Sequence, residues 1–226
     1  MCSNSCIKKV VKEKSSDIKI IQNETNEINV KIYDKKNKKA SIEIKGNTLE
    51  IINNNRSNFN IFNFTNNQRI VISVPKNKKY NLDLKATSGD INVEPDMNDT
   101  KISVTSGDVS INRTDNLNIS VTSGDVSVYN TGNLDANVTS GDIDIKKVKG
   151  KINLAVKSGD IKINELDLSK DSSIKASSGD IKVIKTNDIY IDASAKSGDI
   201  NIDNNNRKAD IELKIKTISG DITVNK

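Results

Sequence analysis

Apolar and polar residues alternate along most of this chain with a period of two. The clearest stretch is Ile102-Ser-Val104-Thr-Ser-Gly-Asp-Val109-Ser-Ile111, where single polar residues separate the apolar residues within each half. A period of two places successive side chains on opposite faces of an extended chain. Each such stretch is therefore predicted to be a β-strand with one buried face, and no segment offers a helix to cover it.

A Ser-Gly-Asp tripeptide interrupts the alternation eight times, at intervals of 17 to 22 residues. Counted from the serine, the apolar positions are −4, −2, +3 and +5, so the alternation slips by one residue and the chain must bend there. Glycine reaches positive φ at least cost, and Ser and Asp bond nearby backbone groups. The predicted structural turns comprise Ser88, Gly89 and Asp90, then Gly107 and Asp108, Gly124 and Asp125, Gly141 and Asp142, Gly159 and Asp160, Gly179 and Asp180, Gly198 and Asp199, and Gly220 and Asp221.

Two architectures satisfy this bend. The tripeptide forms either the tip of a hairpin or the corner of a β-solenoid, in which equivalent residues stack on the next coil. We favour the solenoid, because its opposite wall covers an apolar face that a long meander would leave open, and because the repeat length is nearly constant. The fold class is thus predicted as all-β, a single-stranded β-helix or β-solenoid-like stack of about eight repeats of 17–22 residues with an N-terminal β cap. Aliphatic residues between the turns are expected to supply the second wall, namely Leu117, Leu134, Val148, Ile152, Leu166, Leu168, Ile189, Ile191, Ile211 and Leu213.

The chain is predicted to divide into three parts. Residues 1–16 are expected to be disordered or to anchor the protein, residues 17–85 to form the β cap with degenerate repeats, and residues 86–226 to form the solenoid, continuous with the cap. Lys45-Gly46-Asn47 is typical of a hairpin or a degenerate corner. The C-terminal strand that begins at Ile222 lacks a cap in sequence, so we expect edge-strand self-association there.

Composition argues against several classes of function. The net charge is +5, Lys and Asp alternate through most of the chain, and aromatic residues make up only 3% of it. The one single-sign block, Asp34 to Lys39, is interpreted as a solvated loop, and platforms for base stacking are missing, so no nucleic-acid partner is predicted. There is no histidine, which removes the commonest general base. No catalytic residue, metal site or cofactor is predicted, and the chain is interpreted as a non-enzyme.

Both cysteines, Cys2 and Cys6, lie in the first six residues. Without histidine this spacing makes a poor zinc site, and a disulfide at the terminus would stabilise little. Cys2-Ser-Asn-Ser is also similar to the start of a mature bacterial lipoprotein. The sequence contains no run of about 20 apolar residues that would cross a membrane. A location at the cell surface or envelope is favoured over the cytoplasm.

The segment Val71-Ile-Ser-Val-Pro75, followed by Leu82 to Val93 and the reiterated T-S-G-D-[IV]-x-[IV], resembles a known family. These are the bacterial "putative adhesin" domains of unknown function, also called toastrack domains, and the resemblance covers residues 40 to 226. It implies a β-helix-like stack, a setting at the bacterial cell envelope and a non-enzymatic role. The partner is unknown, and a cell-surface or envelope protein or a glycan is the expected class.

Alternative hypotheses concern the repeated polar columns. Stacked turns would place their aspartates about 4.8 Å apart, and calcium could neutralise such a ladder. Calcium needs six to eight oxygens while each repeat offers one dependable carboxylate, so we favour aspartates that bond backbone groups, with Lys157 and Lys196 nearby. Hydroxyl columns could order water or bind ice, but they change to lysine in later copies. An intracellular scaffold is a third alternative. The columns consist of Ser103, Thr105, Ser120, Thr122, Asn137 and Thr139.

Overall fold

All regular elements in the described part of the chain are β-strands. The computed structural model describes residues 8–33, 41–45, 48–52, 69–203 and 205–225. No helix long and apolar enough to cross a membrane occurs within these ranges. The strands are β1 (Lys8–Ser15), β2 (Asp17–Asn23), β3 (Asn29–Tyr33), β4 (Ser41–Lys45), β5 (Thr48–Ile52), β6 (Arg69–Pro75), β7 (Tyr80–Ser88), β8 (Ile91–Ser106), β9 (Val109–Ser123), β10 (Val126–Ser140), β11 (Ile143–Gly150), β12 (Ile152–Ser158), β13 (Ile161–Leu168), β14 (Ser172–Ser178), β15 (Ile181–Val183), β16 (Tyr190–Ser197), β17 (Ile200–Ile202), β18 (Glu212–Ser219) and β19 (Ile222–Val224).

Successive repeats lie side by side in parallel and in register. Val126 pairs with Val109 of the preceding repeat and with Ile143 of the following one. A hairpin would pair strands antiparallel across its tip, so the tripeptides are corners of coils. The predicted β-solenoid is confirmed and the hairpin alternative is wrong. We call the strand segments that lead into a corner the first wall and the segments that follow a corner the second wall. The long strands β8, β9 and β10 run from one corner to the next, so each contributes its first half to the second wall and its last half to the first wall.

The core is the space between these two walls. The inward residues on the two sides of the corner at Gly107, for example Ile102 and Ile111, are both 1% exposed. The aliphatic residues between the turns are buried, except that Ile211 is only partly buried. The prediction that they supply a separate second wall is wrong, because Leu117, Ile152 and Leu213 lie in strands that run into a corner. Burying one such side chain contributes roughly 1.5–3 kcal/mol. A coil therefore depends on its neighbours, because both open sides of its core must be covered.

The last two coils stack in the reverse of their chain order. Strand β18 pairs with β14 on one side and with β16 on the other, and β19 lies between β15 and β17. The prediction that the C-terminal strand forms the open end is therefore wrong. At this end of the stack, the described strands that are paired on one side only are β16 and β17, so self-association, which stays a prediction, would involve them.

One amide already covers part of this open edge. The Asn205 side chain accepts a hydrogen bond from the Ile191 N–H at 2.8 Å and donates one to the Ile191 carbonyl at 2.7 Å. The neighbouring Tyr190 N–H donates instead to Ile211, on the β18 side. Since adjacent residues of a strand direct their backbone groups to opposite sides, Asn205 lies where the next strand would lie.

The N-terminal coil is also inserted one layer inwards. Strand β1 pairs with β5 and β7, and β2 pairs with β6 and β8. Residues 8–16 therefore belong to the stack, and the expectation that they are disordered is wrong, while an anchoring role of the N-terminal segment stays a prediction. One core cluster extends from Ile18 to Val224 without a break at residue 85.

Antiparallel strands close the N-terminal end of the stack. Strand β4 pairs with β5, which agrees with the hairpin alternative for this segment, and β3 pairs with β6. The turn itself, at residues 46 and 47, lies outside the described residues. The charged block at residues 34–39, the phenylalanines between residues 53 and 68, and both cysteines lie outside the described residues.

Candidate functional site

The turn aspartates form a continuous hydrogen-bonded ladder along one edge of the stack. From Asp17 to Asp221 in stacking order, each Oδ1 atom accepts a hydrogen bond from the N–H of the aspartate in the next coil, at 2.8 to 3.1 Å. The carboxylate thus continues the backbone pairing around the corner. In stacking order the ladder consists of Asp17, Asp90, Asp108, Asp125, Asp142, Asp160, Asp180, Asp221 and Asp199.

Asp17 belongs to a corner that sequence reasoning missed. The segment Ser15-Ser16-Asp17-Ile18-Lys19-Ile20 has the Ser-x-Asp spacing and both following aliphatic residues, with serine in place of glycine. Ser15 pairs with Ser88 of the next corner. The Ser-x-Asp-Ile-x-Ile pattern was the available signal, but the missing glycine and Glu13 at an expected apolar position obscured it.

The fold aligns the predicted turn residues along one edge of the stack, and none of them lines either surface groove of the described residues. In the described part of the chain, no three acidic or cysteine side chains converge as they would around a metal ion. One oxygen of each ladder carboxylate is occupied by a backbone N–H. The arrangement can hold the corners in register, which is the structural role expected for these residues.

A groove of about 670 Å³ runs along the first wall. Its floor includes a side-chain ladder in which Asn116 donates to Asp99 and Asn133 donates to Asn116, both at 2.8 Å. The backbone N–H of Lys151 then donates to the Asn133 side chain at 3.0 Å. Because these residues occupy equivalent places in successive coils, the groove extends parallel to the stack. Exposed side chains beside the ladder are Lys101, Asn118 and Asp135.

A second groove, of about 450 Å³, lies on the second wall. The Tyr129 ring is 57% exposed there, and the Lys146 ammonium lies 5.5 Å from the ring centroid. Asn112 donates a hydrogen bond to the Glu94 carbonyl at 3.0 Å, which fixes its amide. Sequence reasoning missed this site, since outward residues follow no apolar pattern. The exposed tyrosine among Ser and Asn was the only signal.

Several charged side chains form pairs that connect different coils. Lys79 bonds both carboxylate oxygens of Asp115 at 2.8 Å, and Lys19 lies 2.7 Å from Glu94. Lys147 donates a hydrogen bond to Glu165, and this bond, with the positive charge behind it, lowers the pKa of the Glu165 carboxyl. These pairs are distributed over the surface, where exposed ion pairs contribute little.

The predicted hydroxyl columns are present on the first wall. Ser103, Ser120 and Asn137 align in register, and the neighbouring Thr105 and Thr122 are exposed. The serine column continues to Ala155 and then Lys175. A flat hydroxyl surface therefore extends over only a few coils, and ice binding stays an untested alternative.

The profile of the family described as Toastrack DUF4097 matches residues 7–225, which is nearly the whole chain. The chain belongs to this family. No curated protein matches the chain.

Three solved structures resemble this toastrack domain. A protein named "putative adhesin" from Bacteroides fragilis NCTC 9343 is 17% identical, with a TM-score of 0.51 over 98% of this chain and 93% of its own, which shows a shared fold. A "putative cell adhesion protein" from Clostridium sporogenes ATCC 15579 is 14% identical, with a TM-score of 0.38 over 98% and 92% of the chains. A "putative lipid binding protein" from Parabacteroides distasonis ATCC 8503 is 15% identical, with a TM-score of 0.40 over 100% and 95%.

Proposed function

We propose that this toastrack domain is a non-enzymatic scaffold of the bacterial cell surface or envelope, acting as an adhesion module. The observation that carries the proposal is the first-wall groove. Equivalent polar residues of successive coils line it, so it presents the same kind of contact repeatedly along one direction. Such a groove suits an extended polymer that lies along the stack, which is the form in which surface glycans and extended polypeptides are presented.

The construction of the stack supports a scaffold role. A single core cluster connects the coils, and parallel strands pair on both sides through most of its length. Each coil is stabilised by its neighbours, so the groove is held in one shape. A rigid surface loses little conformational entropy on binding.

The amides of the groove support a binding role. Asp99 accepts a hydrogen bond from Asn116, and Asn133 bonds both Asn116 and Lys151. Amides hold ligands through hydrogen bonds and do not exchange protons at neutral pH. The resemblance to adhesin-like domains supports the envelope setting.

Retention of protein-coated beads on surfaces tests this function. The surfaces are purified bacterial sacculi, mucin and collagen. The groove variant combines Lys101→Ala, Asn118→Ala and Asp135→Ala, three exposed residues beside the ladder. The matched control removes an exposed lysine, asparagine and aspartate elsewhere, through Lys185→Ala, Asn201→Ala and Asp167→Ala.

We expect wild-type beads to bind at least one surface, the groove variant to lose about tenfold in retention, and the control to bind like wild type. Ten-fold corresponds to about 1.4 kcal/mol. Equal retention of the groove variant and wild type would reject the groove. Release of soluble sugar or peptide from the surfaces would reject the non-enzymatic role. Immunodetection in separated cytoplasmic and envelope fractions of the native bacterium tests the location.

A further inference from the structure

The second-wall groove combines a flat aromatic face with a free positive charge. Val128 pairs with Ile111 on one side and Ile145 on the other, so Tyr129 stands between Asn112 and Lys146 of the adjacent coils. Lys146 belongs to no ion pair within the described residues, and its ammonium lies 5.5 Å from the ring centroid. On the opposite side of the ring lies the short Asn112 side chain, whose amide is held by the Glu94 carbonyl.

Small hydroxyl and amide side chains surround the ring. Ser110 and Ser127 pair in register beside it, and both are exposed. The two acidic side chains of the groove already face cations: Glu94 lies 2.7 Å from Lys19, and Asp144 lies 3.8 Å from Lys162. An incoming anion would therefore find Lys146 as the available cation of this groove among the described residues.

The groove floor offers nothing to a peptide backbone. Its apolar members Val93, Ile111 and Val128 point into the core, with exposures of 0 to 2%. Their strands are paired on both edges, so backbone donors and acceptors are already used. The side chains that face the solvent are the Tyr129 ring, hydroxyls, amides, the Lys146 ammonium and the two carboxylates that already face cations. The volume of about 450 Å³ lies within the roughly 300–1,000 Å³ of small-molecule sites.

We propose that this groove binds an acidic pyranose, the uronate unit of an anionic glycan. The C–H face of the sugar packs on the Tyr129 ring, its carboxylate pairs with Lys146, and its hydroxyls bond Asn112, Ser110 and Ser127. Carboxylate binding by an ammonium gives charge-assisted hydrogen bonds, while the aromatic face selects a flat apolar surface. The site shares no lining residue with the first-wall groove, so either proposal can fail without the other.

Surface plasmon resonance on immobilised oligogalacturonate tests the inference, with the carboxyl-reduced oligomer as the neutral counterpart. We expect Tyr129→Ala to weaken binding at least tenfold and Tyr129→Phe to bind like wild type, since the ring is kept. Lys146→Gln is expected to abolish the preference for the acidic oligomer while leaving binding to the neutral one unchanged. These residues are on the surface, so we expect each variant to keep its β-structure, and circular dichroism is the measurement that checks it.

Matched controls separate this site from general attraction to a basic protein. Tyr33→Ala removes another tyrosine, 55% exposed on β3, and Lys175→Gln removes an exposed lysine of the first wall. Both are expected to bind oligogalacturonate like wild type. The proposal is overturned if wild type binds neither oligogalacturonate nor oligoglucuronate, if Lys175→Gln weakens binding as much as Lys146→Gln, or if polyglutamate binds as tightly as the acidic sugar.

Discussion

Gly124 lies directly over Gly107 of the neighbouring coil, so that a Cβ on Gly124 would stand only 2.1 Å from the Gly107 carbonyl oxygen. Its φ angle is +139°, in the region that residues with a side chain rarely enter. Glycine is therefore required at this position for two reasons: the backbone angle is unfavourable for other residues, and the neighbouring coil leaves no space for a Cβ.

Gly124→Ala is expected to lower the free energy of unfolding by about 3 kcal/mol or more, because the methyl group can relax only by separating two coils. Urea unfolding followed by circular dichroism measures this loss. The control is Ser123→Ala, at the preceding exposed position, which should remain within about 0.5 kcal/mol of wild type. A Gly124→Ala protein as stable as wild type would contradict the close stacking of the corners.

Asp125 accepts a hydrogen bond from the Asp142 N–H at 2.8 Å and stands in a column of like charges. Asp125→Asn keeps an acceptor oxygen and removes one charge, so we expect stability equal to or above that of wild type. Asp125→Ala leaves the N–H without its partner and should cost about 1 kcal/mol. Urea midpoints of the two variants measure the difference.

The same pair of variants separates a structural ladder from a calcium site. For the structural ladder, calcium and chelator leave the melting temperature of wild type unchanged, and Asp125→Asn does not reduce it. A rise in melting temperature with calcium that Asp125→Asn abolishes would establish the calcium-stabilised alternative.

Tyr80 gives the fold a sensitivity to alkaline pH. Its side chain is 0% exposed, and burial raises the pKa of its phenol above the usual value of 10.0. The unfolded chain then loses this proton first as the pH rises. The neutral phenol contributes fully to the free energy of unfolding below about pH 10. This contribution is lost as the pH rises through the folded pKa, by up to about 1.4 kcal/mol per pH unit.

Tyr80→Phe should remove this part of the alkaline destabilisation. Urea unfolding of both proteins at pH 8, 10 and 11 isolates the contribution of the phenol, because the surface lysines titrate in both. Above pH 10, we expect the free energy of unfolding of wild type to fall relative to that of Tyr80→Phe. A difference that is constant over this range would show that the phenol ionises equally in the folded and unfolded chains.

Strands β16 and β17 depend on a coil that follows them in the chain. A protein that ends at Asp203 lacks β18 and β19, so we expect residues 190–202 to exchange their amide hydrogens rapidly. A second truncation, ending at Asp188, should unfold at the same urea concentration, because residues 190–202 contribute no stability without their partners. Slow exchange of these residues in the first truncation would mean that β16 had moved to pair directly with β14.

The coil itself could be predicted from sequence because burial imposes a period on the inward residues. Ile102 and Val109 reveal both the strands and the bend between them. Outward residues have no such constraint, so the alignment of Tyr129 with Lys146 became visible only once the stacking register was known.

The order of the coils was not predictable in the same way, because every corner presents the same surface to the next. The Asp180 carboxylate could accept the N–H of Asp199 as well as that of Asp221, which it does accept. The small inward residues Ala193 and Ala195 were the available signal, since an end coil buries less side-chain surface than an internal one. The first corner tolerates serine in place of glycine, which concealed it in the sequence: the close approach to the Ser16 carbonyl is made by Gly89 of the next corner.

The insertion of β18 and β19 beneath β16 and β17 sets the timing of folding during protein synthesis. When residues 190–202 emerge from the ribosome, their native neighbours β18 and β19 have not yet been made, and β14 and β15 present an edge of matching register. At about 5–20 residues per second, this interval lasts on the order of seconds, ample for strands to pair. The nascent chain must therefore either keep this coil unpaired or undo a pairing already made, and the synthesis of β18 and β19 determines when β16 and β17 gain their native neighbours.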